Sequence, residues 1–356
     1  MRTQSWMRRL GFVLIVGLGL MPAAAGASAL SDAAATLAPG NWMPLSTSGT
    51  SIIVKSNGGD ILEYANKGAW NPLNQRAYYC GASHHNSFVA DCVQYDEATN
   101  AWSSIGVPGT GQFDIVHGYD HNAIDPGRGV FYFRQYNSTL VWRYVPGSGW
   151  GSLPTFSPVG GANCLQVAAS LEFFAAMDRL VFFNSCGGGL HYYNPTTNTW
   201  TTQAASGLVD GGIHTLSAYS TQGFYYFGGG NQTNQMARVN TAQSVSVIAS
   251  PPGSAQILKA LMVGDPSSGR MLFFLGDGNI SEYRPETNQW VDTGVTSRFT
   301  TTGSCSSGIA IPISTYGVIM LACTVSSQSQ VQVWLYKHAS VSSGPKPQPP
   351  SAILLR

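Results

Sequence analysis

A short hairpin pattern recurs along the chain and constrains its fold more than any other sequence feature. In each copy an alternating strand ends in tyrosine, a polar turn with asparagine or glycine follows, and tryptophan opens the next strand. Four complete copies occupy Cys92–Trp102, Val141–Trp150, Leu190–Trp200 and Ile280–Trp290. Alternating strands on either side of such a turn predict antiparallel hairpins.

Two partial copies extend the pattern to six. In Gln235–Val247, Val239 takes the tyrosine position and Val247 the tryptophan position, whereas Val331–His338 lacks the tryptophan strand. The anchor positions are 44 to 53 residues apart and comprise Tyr95, Tyr144, Tyr193, Val239, Tyr283 and Tyr336. A second, aromatic-rich hairpin lies upstream of each anchor, so each repeat holds four strands. Four strands at this period are typical of a β-propeller blade.

The two ends of the repeat array complement each other. Residues Asn41–Leu45 form an isolated tryptophan strand before the first repeat, and Val331–His338 lacks such a strand. A solenoid of the same units would need capped ends, whereas pairing these segments closes a ring and removes the open sheet edge. We therefore predict an all-β protein with a six-bladed propeller over residues 40–338, closed by an N-terminal strand.

Composition excludes two broad classes of protein. Only 10% of the 356 residues are charged and the net charge is +1, which argues against a nucleic-acid partner because phosphate binding needs a basic surplus. Aromatic residues make up 11% of the chain, which argues against disorder. A folded protein is therefore expected, and we also expect it to be a monomer.

The N-terminal segment has the pattern of an export signal. Arg2, Arg8 and Arg9 precede the apolar run Leu10–Leu20, and small residues follow as far as Ala29. The run is shorter than the roughly 20 residues that span a bilayer, so residues 1–27 predict a secretory signal peptide. The alternative is a membrane anchor. We expect a secreted or periplasmic protein with no membrane span after cleavage, and residues 339–356 predict a Pro- and Ser-rich linker or tail.

The six cysteines form three pairs that are local in sequence. The pairs are Cys80–Cys92, Cys164–Cys186 and Cys305–Cys323. An even number of cysteines in an exported chain predicts disulfides. A metal cluster would require a Cys-x-x-Cys spacing, which the sequence lacks.

The hairpins, together with the glycine runs Gly187–Gly189 and Gly228–Gly230, resemble the Kelch superfamily and the central propeller of galactose oxidase. The resemblance covers about Asn41–His338 and implies a Kelch-type propeller. The copper site of galactose oxidases uses tyrosines, histidines and a Tyr–Cys crosslink. This chain has no Tyr-His ligand dipeptide, and all of its cysteines have local partners. We therefore predict no cofactor.

Polar and basic residues concentrate in segments that a propeller would place on one face. The connections into the innermost strands share that face with the loops between second and third strands, and ligands usually bind there. Second-to-third loops contain His84, His85, Arg134, Tyr136 and Asn137. Connections into innermost strands contain His117, His121, Asn163, His214, Lys259 and Arg298. Such convergence of polar groups at a concave mouth predicts a binding or catalytic site.

We assign expected roles within this set. The predicted catalytic residues are His121, Tyr136, Arg134 and His214. The predicted substrate-binding residues are His84, His85, His117, Asn137, Asn163, Lys259 and Arg298. No metal is predicted, because His117 and His121 do not form a compact helical pair and no carboxylate cluster accompanies them.

The residue types favour β-elimination over glycoside hydrolysis. A glycosidase needs two flanking carboxyl groups, whereas this rim offers only the scattered Asp114, Asp120, Asp210 and Asp277. In β-elimination on a uronate polysaccharide, arginine neutralises the carboxylate, while histidine or tyrosine removes the adjacent proton and protonates the leaving oxygen. In architecture and residue types the chain looks like secreted propeller polysaccharide lyases, including ulvan lyases and oligogalacturonate lyase. The alternative is a non-catalytic glycan- or protein-binding module of a surface protein.

Overall fold

A computed structural model of the chain describes residues 27–54, 59–83, 90–109, 117–136, 138–157, 169–185, 187–204, 207–208, 210–300, 305–325 and 330–339. The described part contains one short α-helix and 24 strands, which form six four-stranded antiparallel sheets. The chain is therefore a six-bladed β-propeller that is nearly all β, as its repeat predicts.

The strands follow the sequence order of the repeats. Helix α1 (Ala29–Thr36) and strand β1 (Asn41–Pro44) precede the first blade. The first three blades comprise β2 (Ala69–Asn71), β3 (Arg76–Ala82), β4 (Ala90–Asp96) and β5 (Ala101–Ser104); β6 (Asn122–Asp125), β7 (Val130–Arg134), β8 (Val141–Val145) and β9 (Gly149–Ser152); and β10 (Ala169–Phe174), β11 (Arg179–Asn184), β12 (Gly189–Asn194) and β13 (Thr199–Ala204).

The remaining blades are built in the same way, with one exception at the end of the chain. Two of them comprise β14 (Leu216–Ser220), β15 (Phe224–Gly228), β16 (Met236–Val239) and β17 (Val245–Ile248); and β18 (Ala260–Gly264), β19 (Met271–Leu275), β20 (Asn279–Arg284) and β21 (Gln289–Thr296). The sixth comprises β22 (Ser307–Ile313), β23 (Val318–Val325), β24 (Gln330–Lys337) and, as its fourth strand, β1. Asn41 pairs with Lys337 and Pro44 with Trp334.

The innermost strands β2, β6, β10, β14, β18 and β22 run in parallel around the channel. Backbone bridges near their starts join Ala65 to Tyr119, Asp120 to Ser170, and Lys67 to Ala310, each in parallel register. The inner strands of these blades, the first, second, third and sixth, consequently start at one face of the ring and end at the other. The two ends of the channel are therefore chemically different, because separate sets of residues build them.

The recurring tyrosine and tryptophan are direct cross-strand partners. Tyr193 pairs with Trp200, and the same pairing occurs in the first, second and fifth blades and between Tyr336 and Trp42. The Tyr193 hydroxyl donates to Asn198 Oδ1 over 2.7 Å, and Trp200 Nε1 donates to the Pro154 carbonyl of the preceding blade over 2.8 Å. The tyrosine hydroxyl thus stabilises the turn within a blade, and the tryptophan indole joins neighbouring blades. In the fourth blade the partner of Val239 is Val245, so the assignment of Val247 to that position is wrong.

The indole hydrogen bond provides a test of this inter-blade contact. Replacing Trp200 with phenylalanine keeps an aromatic ring beside Tyr193 but removes the donor to Pro154. We expect the free energy of unfolding to fall by about 1–2 kcal/mol, because the carbonyl loses a neutral partner and some packing is lost. Urea unfolding measures the change, and an unaltered midpoint would show that the bond contributes nothing.

Two of the predicted disulfides are present. Cys80 and Cys92 are direct partners on β3 and β4, with Cα atoms 4.0 Å apart. Cys305 precedes β22 and bonds to Cys323 on β23, with Cα atoms 5.3 Å apart. The pair Cys164–Cys186 lies outside the described residues. The two disulfides are compatible with an extracellular protein. In that same described part, no helix is long and apolar enough to cross a membrane.

Candidate functional site

Four bulky residues in a left-handed backbone conformation mark one face of the ring. They precede the inner strands of the first, second, fourth and fifth blades, and their φ angles are 52° for Tyr64, 43° for Tyr119, 70° for His214 and 75° for Leu258. Large side chains rarely adopt this conformation, which costs of order 1–3 kcal/mol per residue. Such strain persists where the surrounding structure imposes it, and it concentrates at functional sites.

The side chains of these residues meet at the mouth of the channel. Tyr64 stacks on His117 at 4.4 Å between ring centroids and lies 5.4 Å from His214. Tyr119 is central: its ring lies 4.9 Å from His117, 6.0 Å from Tyr136 and 6.1 Å from His214. Leu258 packs against the same apolar cluster. We call this set, Tyr64, His117, Tyr119, Tyr136 and His214, the aromatic mouth.

A glycine permits this close arrangement. Gly118 lies between His117 and Tyr119, and a Cβ atom built on it would lie 2.0 Å from the Tyr79 hydroxyl and 2.8 Å from the Cys80 carbonyl oxygen. Any side chain at this position would displace the segment that carries the two rings.

A buried basic pair lies beneath the aromatic mouth. Arg134 ends β7 and is fully buried, with its guanidinium 4.9 Å from the centre of the Phe182 ring. Its Nη1 donates to the Ser138 carbonyl over 2.9 Å, and its Nη2 lies 3.2 Å from Nε2 of His121. A guanidinium carries only donors, so His121 accepts through Nε2 and is neutral in this contact.

Burial controls the electrostatics of this layer. Desolvation lowers the pKa of Arg134 to about 9, and the neighbouring Tyr119 and Tyr136 hydroxyls oppose that effect. Burial raises the pKa of Tyr119 well above its ordinary value, and the positive charge of Arg134 partly counteracts this rise. The guanidinium therefore lies where it can stabilise negative charge that develops at the mouth.

A polar network lies next to the mouth and joins the inner strands of several blades. Lys67 Nζ lies 3.3 Å from Asp120 Oδ1 and 3.0 Å from Glu172 Oε2, and donates to Ser217 Oγ over 2.8 Å. Asn66 donates to Asp120 over 2.6 Å, and Ser217 donates to the other oxygen of that carboxylate. Burial raises the pKa of Asp120 to about 7, although Lys67 and the hydrogen bonds oppose the rise. The first four blades are joined through this network.

The structure brings five of the predicted site residues together: His117, His121, Arg134, Tyr136 and His214. Only Tyr136 and His214 of these are partly exposed.

The other predicted site residues are not part of this group. Lys259 is exposed next to Leu258 and shares a separate depression with Asp277. Arg298 lies 4.3 Å above the Trp334 ring in the sixth blade. His84, His85, Asn137 and Asn163 lie outside the described residues. The catalytic and substrate-binding roles stay predictions.

Sequence reasoning overlooked several members of the site. Tyr64 and Tyr119 form its centre, and Tyr119 stands between the two histidines that the sequence singled out. Asp60 and Glu63 are additional carboxyl groups on the segment that carries Tyr64. Burial raises the pKa of Asp60 to about 6, and the Thr324 hydroxyl donates to it over 2.6 Å. Among the described residues, no three His, Cys, Asp or Glu side chains lie close enough to share a metal ion.

Backbone strain at the mouth can be measured directly. Glycine adopts the φ of His214 without steric cost, whereas alanine does not. We expect the His214→Gly variant to be more stable than His214→Ala by about 1 kcal/mol, since both lose the ring and only one keeps the strain. Equal unfolding midpoints would show that the conformation stores no strain.

Comparisons with known proteins bear on the fold alone. No protein-family model and no curated protein matches the chain. A protein of unknown function from Bacteroides thetaiotaomicron is similar in structure, with a TM-score of 0.52 and 11% identity over 83% of this chain and 75% of that one. Virginiamycin B lyase from Staphylococcus aureus is a more distant likeness, with a TM-score of 0.49 and 9% identity over 77% and 85% of the two chains. The Kelch subtype and the galactose-oxidase resemblance stay predictions.

Proposed function

We propose that the aromatic mouth binds an acidic, uronate-containing polysaccharide and cleaves it by β-elimination. The observation that carries this proposal is the convergence of three strained residues, Tyr64, Tyr119 and His214, on a mouth underlain by a buried arginine. Aromatic faces suit sugar rings, imidazole titrates near neutral pH, and both imidazole and phenol groups can act in proton transfer.

We assign proton transfer to side chains of the mouth that are exposed to solvent and can therefore reach a substrate. Tyr136 and His214 flank the Tyr119 ring and both reach solvent. In the proposed reaction Tyr136 acts as a phenolate: it removes the proton next to the substrate carboxylate, and the released electron pair forms a carbon–carbon double bond. The glycosidic carbon–oxygen bond breaks at the adjacent carbon, and the imidazolium of His214 protonates the departing oxygen. Proton exchange with water then returns both side chains to their starting states. The products are one unsaturated uronate end and one ordinary chain end.

The sequence position of Arg134 suggests direct contact with the substrate carboxylate. In this proposal Arg134 acts without such contact. Its guanidinium is fully buried and contacts His121 and the Ser138 carbonyl. Its charge acts on Tyr119 and Tyr136, and so favours the negative charge that the reaction develops at the mouth. In this proposal, His121 and Arg134 are positioning residues, and Lys259, which is exposed next to Leu258, contacts the substrate carboxylate.

The proposal is tested by incubating the protein with a panel of uronate polysaccharides and with neutral glucans of similar length. Elimination creates a double bond conjugated with a carboxylate, which absorbs in the near ultraviolet. We expect this absorbance to rise only with uronate substrates. Saturable binding of uronates without any increase in absorbance would instead identify a non-catalytic glycan-binding module.

A further inference from the structure

A chamber occupies the other half of the central channel, beyond the Lys67 network. It has a volume of about 170 Å³ and lies among the last residues of the inner strands, on the face opposite the aromatic mouth. Thr221 and Ser314 on its rim are exposed, so the chamber reaches solvent. A cavity of about 150 Å³ holds a benzene molecule. This chamber therefore has room for a six-membered ring with a short substituent.

The chamber wall is mainly apolar and includes several aromatic rings. The wall residues include Trp70, Phe173, Tyr219, Met262 and Pro312, which come from five different blades. Aromatic faces attract apolar rings, and they also attract organic cations through the ring quadrupole. The aromatic part of the wall thus accepts an uncharged ring or a cationic ligand.

The charges in the chamber favour a cation. Glu172 and Asp265 line it together with Lys67. Lys67 already bonds to both Asp120 and Glu172, so one ammonium faces two carboxylates before Asp265 is counted. Asp265 is only 1% exposed, and its Oδ1 has no hydrogen-bond partner. A buried carboxylate oxygen without a partner is costly, and a ligand donor would remove that cost.

We propose that this chamber is a second binding site, for a small organic cation with a ring-sized apolar body. The ring would lie against Trp70, Phe173 and Tyr219, and the ammonium would face the carboxylates that line the chamber, Glu172 and Asp265. The aromatic mouth and its chemistry play no part in this binding.

Three ligands of matched shape and different charge test the proposal by titration calorimetry on the full chain. Benzylamine carries an ammonium, benzyl alcohol is neutral and benzoate is an anion. We expect saturable 1:1 binding of benzylamine, about tenfold weaker binding of benzyl alcohol, and no detectable binding of benzoate. Equal affinity for the amine and the alcohol, or no saturable binding of the amine, would overturn the proposal.

Two variants locate the binding and identify its charge partner. Ala218 lines the chamber on β14, so Ala218→Leu should fill it and abolish benzylamine binding. If that variant does not fold, Ala123→Val narrows the chamber from the second blade. Glu172→Gln should remove most of the preference for the amine over the alcohol. His214→Gly, at the other mouth, serves as the control and should bind benzylamine normally. Undiminished binding by a folded chamber-filling variant would place the ligand elsewhere and refute the site.

Discussion

Replacing Lys67 with methionine is expected to lower the free energy of unfolding by about 3–5 kcal/mol at pH 8. Lys67 is almost fully buried and lies within 3.3 Å of Asp120 and 3.0 Å of Glu172. Methionine has a similar length but no charge, so the two carboxylates lose their common counter-charge in a largely buried site. Chemical denaturation monitored by tryptophan fluorescence measures the loss.

A double variant distinguishes the charge effect from lost packing. Lys67→Met combined with Asp120→Asn removes one uncompensated carboxylate as well as the ammonium. We expect the double variant to recover a substantial part of the stability that Lys67→Met loses, because breaking one partner of a buried pair costs more than removing both. If the two changes add without recovery, the network is not held together by charge.

The same network gives a pH dependence with a definite sign. Burial raises the pKa of Asp120 from 3.8 to about 7, so the folded state binds its proton more tightly than the unfolded state does. Between about pH 4 and pH 7 this group therefore makes the protein less stable as pH rises. We expect the stability of Asp120→Asn relative to the native chain to increase across this window and to level off above it. A difference that does not change with pH would contradict the raised pKa.

The repeat in the sequence predicts the blades because its residues have fixed partners. A tyrosine and a tryptophan on either side of a tight turn must face each other across the hairpin, and Tyr193 and Trp200 do so. Where the pattern decays, the prediction fails: in the fourth blade neither valine carries the signal, and the register falls on Val245 rather than Val247. The strand register can therefore be predicted where a tyrosine and a tryptophan contact each other across the hairpin.

The sequence predicts which residue types gather at the mouth, but it does not predict which of them are buried beneath it. Strand β7 is covered on both faces by neighbouring blades, so the alternation that separates buried from exposed positions disappears there. Arg134 therefore looks like a loop residue in the sequence but lies fully buried at the end of the strand. The left-handed conformations of Tyr64 and Tyr119 leave no local signal either, because tertiary contacts impose them against residue preference.

Replacing Tyr136 with phenylalanine is expected to lower kcat/KM on a uronate substrate by about 10²–10⁴-fold, with little change in stability. The variant keeps the stacked ring beside Tyr119 and removes only the hydroxyl that the proposed reaction uses as its base. Because Tyr136 is partly exposed, the loss of one hydroxyl leaves no buried group unsatisfied. The loss should fall on kcat, since sugar stacking on the ring is retained.

A tyrosine on the other face of the ring supplies the matched control. Tyr316 lies in the turn between β22 and β23, and its hydroxyl donates to Glu97. Tyr316→Phe removes the same group far from the mouth, so its kcat/KM should equal that of the native chain. If Tyr136→Phe keeps native turnover, Tyr136 is not the base. A third outcome is that Tyr136→Phe alters only the affinity for uronates, while neither the native chain nor any variant shows turnover. In that case the aromatic mouth binds glycans without cleaving them. The strained residues then serve to hold aromatic rings in a binding geometry.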